Sequence, residues 1–389
     1  MGDVKIGIDD MEVHVPKTYL DMKDLAEVRS AEMRAKGKEV SAEDLYGKYK
    51  FGLGVTQFAV PDSYEDTCTM GAEAARRLME RNDLTLKDIG TIFIGSETRV
   101  DHSKPTATYI LGMLGRGKEK NYNIGAIDFT FACIGGTYAL EATYDRIAAG
   151  RNRGKAGIVI STDHAKYDLD SGGEPTQGAG AVAMLIKENP RLLAIEPHSG
   201  TYTEDQRDFF RPLDRDTPVV DGHFSNACYL KANKNALTDF EELVEDLPAF
   251  SGLESITDRI DRMTLHTPYV KMVENGFAYL FRHAHRPLRR WQNIVDKIGK
   301  EPRKEDFETD AEFLKADDAY LKAMKKTDEF KETFGKKVKP SLTMSGRVGN
   351  IYTGSLYLAK ESLFETDNTI EPGMVVGSAS YGSGTVSYT

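Results

Sequence analysis

The sequence has few cysteines, one tryptophan and no long hydrophobic run, and these shortages narrow the possible functions. The three cysteines among its 389 residues form no Cys-x-x-Cys pair, which argues against a zinc ribbon and a disulfide framework. No apolar run reaches the ~18 residues that a membrane-spanning helix needs. Acidic residues outnumber basic ones, and the formal net charge of −10 argues against broad nucleic-acid binding. We therefore expect a cytoplasmic protein with reduced thiols, no membrane span and no nucleic-acid partner.

Strand-like and helical segments alternate along the chain. The strand patterns are VKIGIDDMEVHV, TIFIGSE, IGAIDFTFA, AGIVISTD and AVAMLI, and the helices between them include CTMGAEAARRLMERN and IGGTYALEATYDRIAAG. This order predicts a layered α/β fold. A second series follows, with strands LLAIEP, RMTLHTP and MVVGSASYGSG and a similar helix, VGNIYTGSLYLAKESLF. We predict two halves of similar topology, residues 1–188 and 189–389, the second with a charged helical insertion at about 283–340.

Cys133 is the first candidate for chemistry, because it lies between a strand pattern and a helix pattern. A helix N-terminus carries partial positive charge, so we expect it to stabilise a thiolate and lower the pKa of this cysteine. Gly135 and Gly136 follow and allow close approach to the backbone. The alternative is that Cys133 is a small buried apolar residue.

Two further candidates follow apolar strands. Glu97 ends TIFIGSE, at the sheet edge where α/β folds place ligands, and partial burial there would suit a general base. A helix N-cap or an ion pair with Arg99 would explain it equally well. His266 ends RMTL, where an imidazole can donate to a carbonyl or move a proton, although lone histidines are often structural.

Two segments near the end of the chain offer hydrogen-bond donors. Asn350 stands at a helix entry, where its amide can face a ligand or cap the helix. The turn SYGSG contains Gly382 and Ser383, whose backbone N–H groups can line an oxyanion pocket.

Together these segments resemble the hydroxymethylglutaryl-CoA synthase family of the thiolase superfamily. The resemblance rests on FACIGGTYAL, IGSETRVDHSKP, STDHAKYDLDSGGEPTQGAGAVAML, PVVDGHFSNACYL, LHTPYVKM, RVGNIYTGSLYLA and SYGSG, in that order. It implies a thiolase-like fold with two βαβαβαββ-type halves in α/β/α/β/α layers. It also implies a homodimeric acyltransferase of the mevalonate pathway, which leads to isoprenoids.

The implied reaction condenses acetyl-CoA with acetoacetyl-CoA and water to give 3-hydroxy-3-methylglutaryl-CoA and CoA, without a metal or further cofactor. By resemblance, Cys133 carries the acetyl group, Glu97 is the general acid and base, and His266 polarises acetoacetyl-CoA. The other implied positions are Asn350 as an active-site amide, Ser383 with Gly382 at the oxyanion, Lys271 near CoA, and Asp163 and Asp208 as supporting acids. The family also continues beyond the SYGSG turn and adds a final strand, whereas this sequence stops at Thr389. Either the sequence is truncated or a shorter terminus leaves an edge strand uncovered.

Three alternatives remain open. An initiating ketoacyl synthase shares the fold and the Cys, His and Asn positions, but it generates its nucleophile by decarboxylation and needs no carboxylate such as Glu97. A β-branching synthase of polyketide pathways performs the same condensation on thioesters of an acyl carrier protein. A non-catalytic scaffold of the same fold would form no acetyl-enzyme.

Overall fold

The computed structural model describes residues 4–117, 121–248 and 250–388. The strands are β1 Ile6–His14, β2 Thr18–Asp21, β3 Gln57–Val60, β4 Ile89–Gly95, β5 Gly125–Phe129, β6 Ala156–Ala165, β7 Gly178–Glu188, β8 Leu193–Ala194, β9 Thr201–Thr203, β10 Phe209–Phe210, β11 Val219–Val220, β12 Arg262–Leu265, β13 Val376–Gly382 and β14 Val386–Tyr388.

The α-helices are α1 Met22–Ala35, α2 Ala42–Gly47, α3 Thr67–Arg81, α4 Thr106–Leu114, α5 Gly135–Ala148, α6 Gly222–Val244, α7 Val270–His285, α8 Trp291–Ile298, α9 Asp310–Met324, α10 Asp328–Lys337, α11 Ser345–Val348 and α12 Ser355–Thr366. A π-helix covers Lys48–Leu53. Short 3₁₀ helices cover Leu86–Asp88, Glu174–Thr176, Ile256–Asp258, Lys304–Asp306, Lys339–Leu342 and Tyr352–Gly354.

Two sheets share one pairing pattern. The first has the order β5-β4-β6-β7-β1-β8, in which β4 and β6 are parallel and β6, β7 and β1 pair antiparallel. The second has the order β12-β13-β14-β9, in which β12 and β13 are parallel and the following pairs are antiparallel. The series β12-β13-β14-β9 thus repeats β4-β6-β7-β1, and the prediction of two similar halves is confirmed.

The last strand corrects one expectation. β14 follows the SYGSG turn directly and pairs with β13 on one side and β9 on the other. Of the two alternatives for this end of the sequence, the uncovered edge strand after that turn is therefore wrong. No helix within the described ranges is long and apolar enough to cross a lipid bilayer.

Helices cover both faces of the first sheet. Ile158 and Ile160 of β6 pack in a cluster with α3 and α4, whereas Val159 between them packs in a cluster with α5 and α12. This alternation follows from the two-residue period of a strand. α5 also reaches the second sheet, where Thr137 Oγ1 lies 2.8 Å from Ser380 Oγ of β13. The two helices α5 and α12 therefore form the layer between the sheets.

The charged segment before residue 340 forms α8, α9 and α10. One face of these helices is apolar and packs on Phe277 and Phe281 of α7, with Trp291, Tyr320 and Phe330 among the buried side chains. The remaining face is charged and carries the ion pair between Lys297 and Glu329. The segment thus extends the core of the second half while it faces solvent on its other side.

Candidate active site

A tight turn presents Cys133 between β5 and α5. Ala132, directly before it, has φ 57°, in the left-handed region that a residue with a Cβ rarely adopts. The helix begins two residues later at Gly135, so the turn places the thiol at the N-terminal end of α5. Cys133 is buried, with only 7% of its surface exposed. Such a strained turn at a buried thiol is typical of a functional site.

Three glycines let the Cys133 turn pack against its neighbours. A Cβ on Gly135 would lie 2.6 Å from the carbonyl oxygen of Phe129, and one on Gly136 would lie 2.9 Å from that of Thr353. A Cβ on Gly382 would lie 2.6 Å from the Cβ of Ala132. The SYGSG turn of the second half therefore lies directly on the Cys133 turn of the first. Cys133, Gly382 and Ser383 belong to one site.

Glu97 interacts directly with Cys133. Burial raises the pKa of Glu97 to about 7, helped by the negative charge of Asp163, while hydrogen bonding to the Cys133 thiol and the charge of Arg211 oppose the shift. Its Oε1 is buried without a hydrogen-bond partner among the described residues. A carboxyl with this pKa and a free oxygen is suited to accept and return a proton near neutral pH.

The thiol of Cys133 keeps its proton in this environment. Burial raises its pKa well above the usual value, and the charge and hydrogen bonding of Glu97 raise it further. The expectation of a lowered pKa for this thiol is wrong, because burial raises the pKa and the neighbouring carboxyl of Glu97 raises it further. The thiol therefore becomes a thiolate only when a group accepts its proton or when a bound substrate changes its surroundings.

Asp163 holds the segment that carries Glu97. It is fully buried in β6, and its Oδ1 accepts hydrogen bonds from the backbone N–H groups of Glu97, at 2.8 Å, and Thr98, at 3.0 Å. Its Oδ2 accepts from the backbone N–H, at 3.1 Å, and the hydroxyl, at 2.5 Å, of Thr353 in the second half. One carboxylate thus ties the Glu97 turn to the segment that follows Asn350.

His266 follows β12 directly and is buried as a neutral imidazole. Its backbone N–H donates to the carbonyl of Ala379 at 2.8 Å, and its own carbonyl accepts from the Tyr229 hydroxyl at 2.9 Å. Burial lowers the pKa of His266 to about 3. Its ring lies 6.3 Å from that of Tyr381, the residue before Gly382. A neutral imidazole at this place can donate one hydrogen bond and accept another.

Asn350 is buried between α11 and α12 with one end of its amide occupied. Its Oδ1 accepts from the backbone N–H of Tyr352 at 2.8 Å and from the Ser355 hydroxyl at 2.7 Å. The Nδ2 group makes no hydrogen bond to the part of the chain that the structure describes. These contacts fix the amide so that its donor side stays available to a ligand.

Models of known families match almost the whole chain. Residues 3–190 match the hydroxymethylglutaryl-coenzyme A synthase N-terminal model, and residues 193–388 match the corresponding C-terminal model. The chain belongs to the hydroxymethylglutaryl-CoA synthase family. It is accordingly an acyl-transferring condensing enzyme with a thiolase-like fold, as the sequence predicted.

Individual relatives agree with this membership. The hydroxymethylglutaryl-CoA synthase of Haloferax volcanii is 38% identical over 387 residues, which cover 97% of this chain and 81% of that protein. A solved structure of MvaS in complex with 3-hydroxy-3-methylglutaryl coenzyme A is 33% identical with a TM-score of 0.79, covering 99% of this chain and 83% of its own. The curacin biosynthetic pathway HMG synthase with acetyl donor-ACP, at 24% identity, TM-score 0.75 and coverage of 99% and 79%, shows the shared fold alone.

The remaining predicted residues differ in how closely they approach the thiol. Asp208 is buried, and its Oδ1 accepts from the backbone N–H of Gly384 at 2.9 Å, beside the SYGSG turn. Its Oδ2 accepts from the hydroxyls of Ser225 and Tyr381. Lys271 instead lies partly exposed at the start of α7, with its Nζ 2.6 Å from Glu274. Among the described residues, no hydrogen bond or ion pair joins Lys271 to Cys133 or Glu97.

Sequence reasoning missed the aromatic wall of the pocket. Tyr352 is buried with Cys133, and the rings of Tyr167 and Phe209 meet it at 6.3 and 6.2 Å. Burial raises the pKa of Tyr167 and Tyr352. The position of Tyr352, two residues after Asn350, was a usable signal. Tyr167 and Phe209 stand among polar and charged residues, where nothing in the sequence marks an aromatic residue as part of the site.

Proposed function

We propose that the protein condenses acetyl-CoA with acetoacetyl-CoA, through an acetyl group on Cys133, to give 3-hydroxy-3-methylglutaryl-CoA and CoA in the mevalonate pathway. The observation that carries this proposal is the pairing of a buried thiol with a carboxyl whose pKa lies at about 7. An acyl carrier and a proton acceptor in one pocket are what a condensation by proton removal needs.

In the first step, Cys133 displaces CoA from acetyl-CoA. The sulfur attacks the acetyl carbonyl, the bond to the CoA sulfur breaks, and CoA leaves with the proton of the thiol. We assign the oxyanion to the backbone N–H groups of Cys133 and Ser383, and the packing of Gly382 against Ala132 supports this assignment. Such a donor contributes about 3 kcal/mol to the transition state.

In the second step, Glu97 removes a proton from the acetyl methyl group, and the carbon attacks the ketone of acetoacetyl-CoA. Neutral His266 and the Nδ2 group of Asn350 donate to the oxygen that becomes an alkoxide, and Glu97 returns its proton there. Water then cleaves the thioester to Cys133, which regains its proton as the product acid leaves. No step calls for a metal or a further cofactor.

The test is an intact-mass measurement of the protein after mixing with acetyl-CoA. We expect a mass increase of one acetyl group on Cys133 and its loss after addition of acetoacetyl-CoA, with product formed in equal amount. A protein that gains no acetyl group would refute the proposal. A Cys133→Ala variant is the control for acetylation elsewhere.

The β-branching reaction on carrier-protein thioesters is the second candidate, and the same experiment tests it. An acetyl-enzyme discharged only by acetoacetyl carrier protein would assign the protein to that reaction. The relatives that support free CoA thioesters are closer in sequence than the carrier-protein enzyme described above. An initiating ketoacyl synthase is disfavoured because Glu97 would then have no role.

We also propose that the protein is a homodimer joined along β5. This strand is an edge of the first sheet, and unpaired edges invite pairing with another chain. Ile127 in β5 is 50% exposed, and Phe131, just after it, is 83% exposed. A second copy pairing along β5 would cover both side chains. We further propose that the protein acts in the cytoplasm and binds neither nucleic acid nor a membrane.

A further inference from the structure

The loop of residues 166–177 joins β6 to β7 and forms one wall of the pocket around Cys133. The ring of Tyr167 packs with Cys133 and Tyr352. At the other end of the loop, the carbonyl of Thr176 accepts a hydrogen bond from the backbone N–H of Asn350 at 3.1 Å. The loop therefore positions both a pocket wall and an active-site amide.

Five of the twelve residues of this loop are exposed, and the shape of that exposed part depends on a few internal contacts. Tyr167 lies on Gly173, where a Cβ would be 2.5 Å from the tyrosine ring. The backbone N–H of Tyr167 donates to Gln177 Oε1 at 2.9 Å. Leu169 between them is 76% exposed. These contacts join the two ends of the loop to each other. They do not attach the loop to the neighbouring helices.

Glu174 is the buried charged anchor of the loop, and its partner lies on α1. Its Oε2 accepts from Arg29 Nε at 2.7 Å, its Oε1 accepts from Arg29 Nη2, and both side chains are buried. Oε2 also accepts from the backbone N–H of Asp170 at 3.2 Å. A two-point bond between a guanidinium and a carboxylate fixes distance and orientation together. The loop also has exposed contacts, from Asp170 to Lys36 and from Asp168 to Arg215.

We propose that Arg29 and Glu174 are positioning residues, which hold the loop closed over the acetyl group on Cys133 and keep water from its thioester until acetoacetyl-CoA has reacted. The inference rests on the proposed function, because it needs an acetyl-enzyme. If the pair loosens, Tyr167 moves from the thiol and water reaches the acetyl carbon. Water then adds to that carbon, the carbon–sulfur bond breaks, acetate leaves, and the sulfur regains a proton.

The test compares two fates of the acetyl-enzyme in a Glu174→Gln variant. Glutamine has the shape of glutamate, but its amide NH₂ would face a donor of Arg29 or of Asp170. We expect the same initial rate of acetylation, with hydrolysis of the acetyl-enzyme about tenfold faster and condensation about tenfold slower, since small displacements of reacting groups have effects of this size or larger. Intact mass follows both reactions, with and without acetoacetyl-CoA.

Lys36→Gln is the matched control, because it breaks an exposed pair between the region after α1 and the same loop. Exposed ion pairs contribute little to stability, so we expect the ratio of hydrolysis to condensation in Lys36→Gln to equal that of the unchanged protein. Arg29→Lys keeps the charge but loses the two-point bond, and it serves as a second test if Glu174→Gln does not fold. An unchanged ratio of hydrolysis to condensation in a folded Glu174→Gln or Arg29→Lys protein would overturn the inference. Failure of the unchanged protein to form an acetyl-enzyme would instead refute the proposed function.

Discussion

Replacement of Glu97 by glutamine should separate acetylation from condensation. Glutamine keeps the size of the side chain but cannot accept the methyl proton, and loss of a general base costs about 10²- to 10⁴-fold in rate. Acetylation should persist, because the charge and hydrogen bonding of Glu97 raise the pKa of the Cys133 thiol. The variant should therefore accumulate as acetyl-enzyme when it is mixed with both substrates.

The pH dependence of the unchanged protein follows from the same carboxyl. Glu97 accepts a proton only when ionised, and its pKa is about 7, so at pH 6 about a tenth of it is ionised. Condensation should thus fall as the pH drops below neutrality. Hydrogen bonding to the thiol lowers the pKa of Glu97, and acetylation removes that donor. The fall should therefore begin at or above pH 7 in the acetyl-enzyme.

The stability of the fold should change with pH in the opposite direction to the condensation rate: it should fall as the pH rises. A carboxyl whose pKa is raised on folding, here from 4.5 to about 7, destabilises the folded state increasingly as pH rises through this range. Each pKa unit corresponds to about 1.4 kcal/mol, so Glu97→Gln should gain up to about 3 kcal/mol above pH 7 and little near pH 4.5. Thermal unfolding at several pH values measures this gain.

The condensation rates are measured in a single turnover of preformed acetyl-enzyme with acetoacetyl-CoA. The reaction is quenched rapidly and followed by mass spectrometry. Condensation by Glu97→Gln at a rate within about tenfold of the unchanged protein would exclude Glu97 as the general base. A condensation rate of the unchanged protein that stays constant from about one unit below to about one unit above neutral pH would exclude it as well.

Three further substitutions test other parts of the structure. Asp163→Asn should lose about 1–3 kcal/mol of stability and most of the condensation rate, because its amide NH₂ would face at least one backbone N–H that now donates to the carboxylate. Urea unfolding measures the stability, and product formation measures the rate. Gly382→Ala should slow acetylation at least about tenfold, because its Cβ would lie 2.6 Å from the Cβ of Ala132, which cannot move without its backbone. Gly377→Ala in the same strand would meet the methyl groups of Ile260 at 3.0 Å, which can rotate away, and should acetylate normally. Ile127→Lys should yield a monomer in analytical ultracentrifugation with the far-UV spectrum retained, and a stable dimer in that variant would exclude β5 as the interface.

The places of the main site residues were predictable because each follows a simple pattern. Glu97 and His266 are polar residues at the ends of apolar strands, and Cys133 stands between a strand and a glycine-rich helix start. Apolar runs determine where strands end, and strand ends determine where a pocket forms. Local sequence therefore carried this part of the site.

Properties that depend on distant parts of the chain were not predictable. The pKa of Cys133 was expected to fall and instead rises, because Glu97, far away in sequence, lies beside it in the same buried pocket. Arg29 and Glu174 are 145 residues apart, and each stands in charged sequence that looks like ordinary surface. Burial of a polar residue by remote segments leaves no periodic trace in the sequence.

The repeated pairing of the two sheets has an evolutionary consequence. β4 and β12 hold equivalent positions, and each leads into a site residue. Glu97, a proton acceptor, lies two residues after the end of β4, and His266, a neutral imidazole, directly follows β12. If the halves descend from a duplicated ancestor, the ends of two equivalent strands have acquired two different chemistries. An ancestor with the same residue in both copies would have carried two bases or two imidazoles around the thiol. Divergence between the copies, rather than a new scaffold, then produced the asymmetry that the condensation needs.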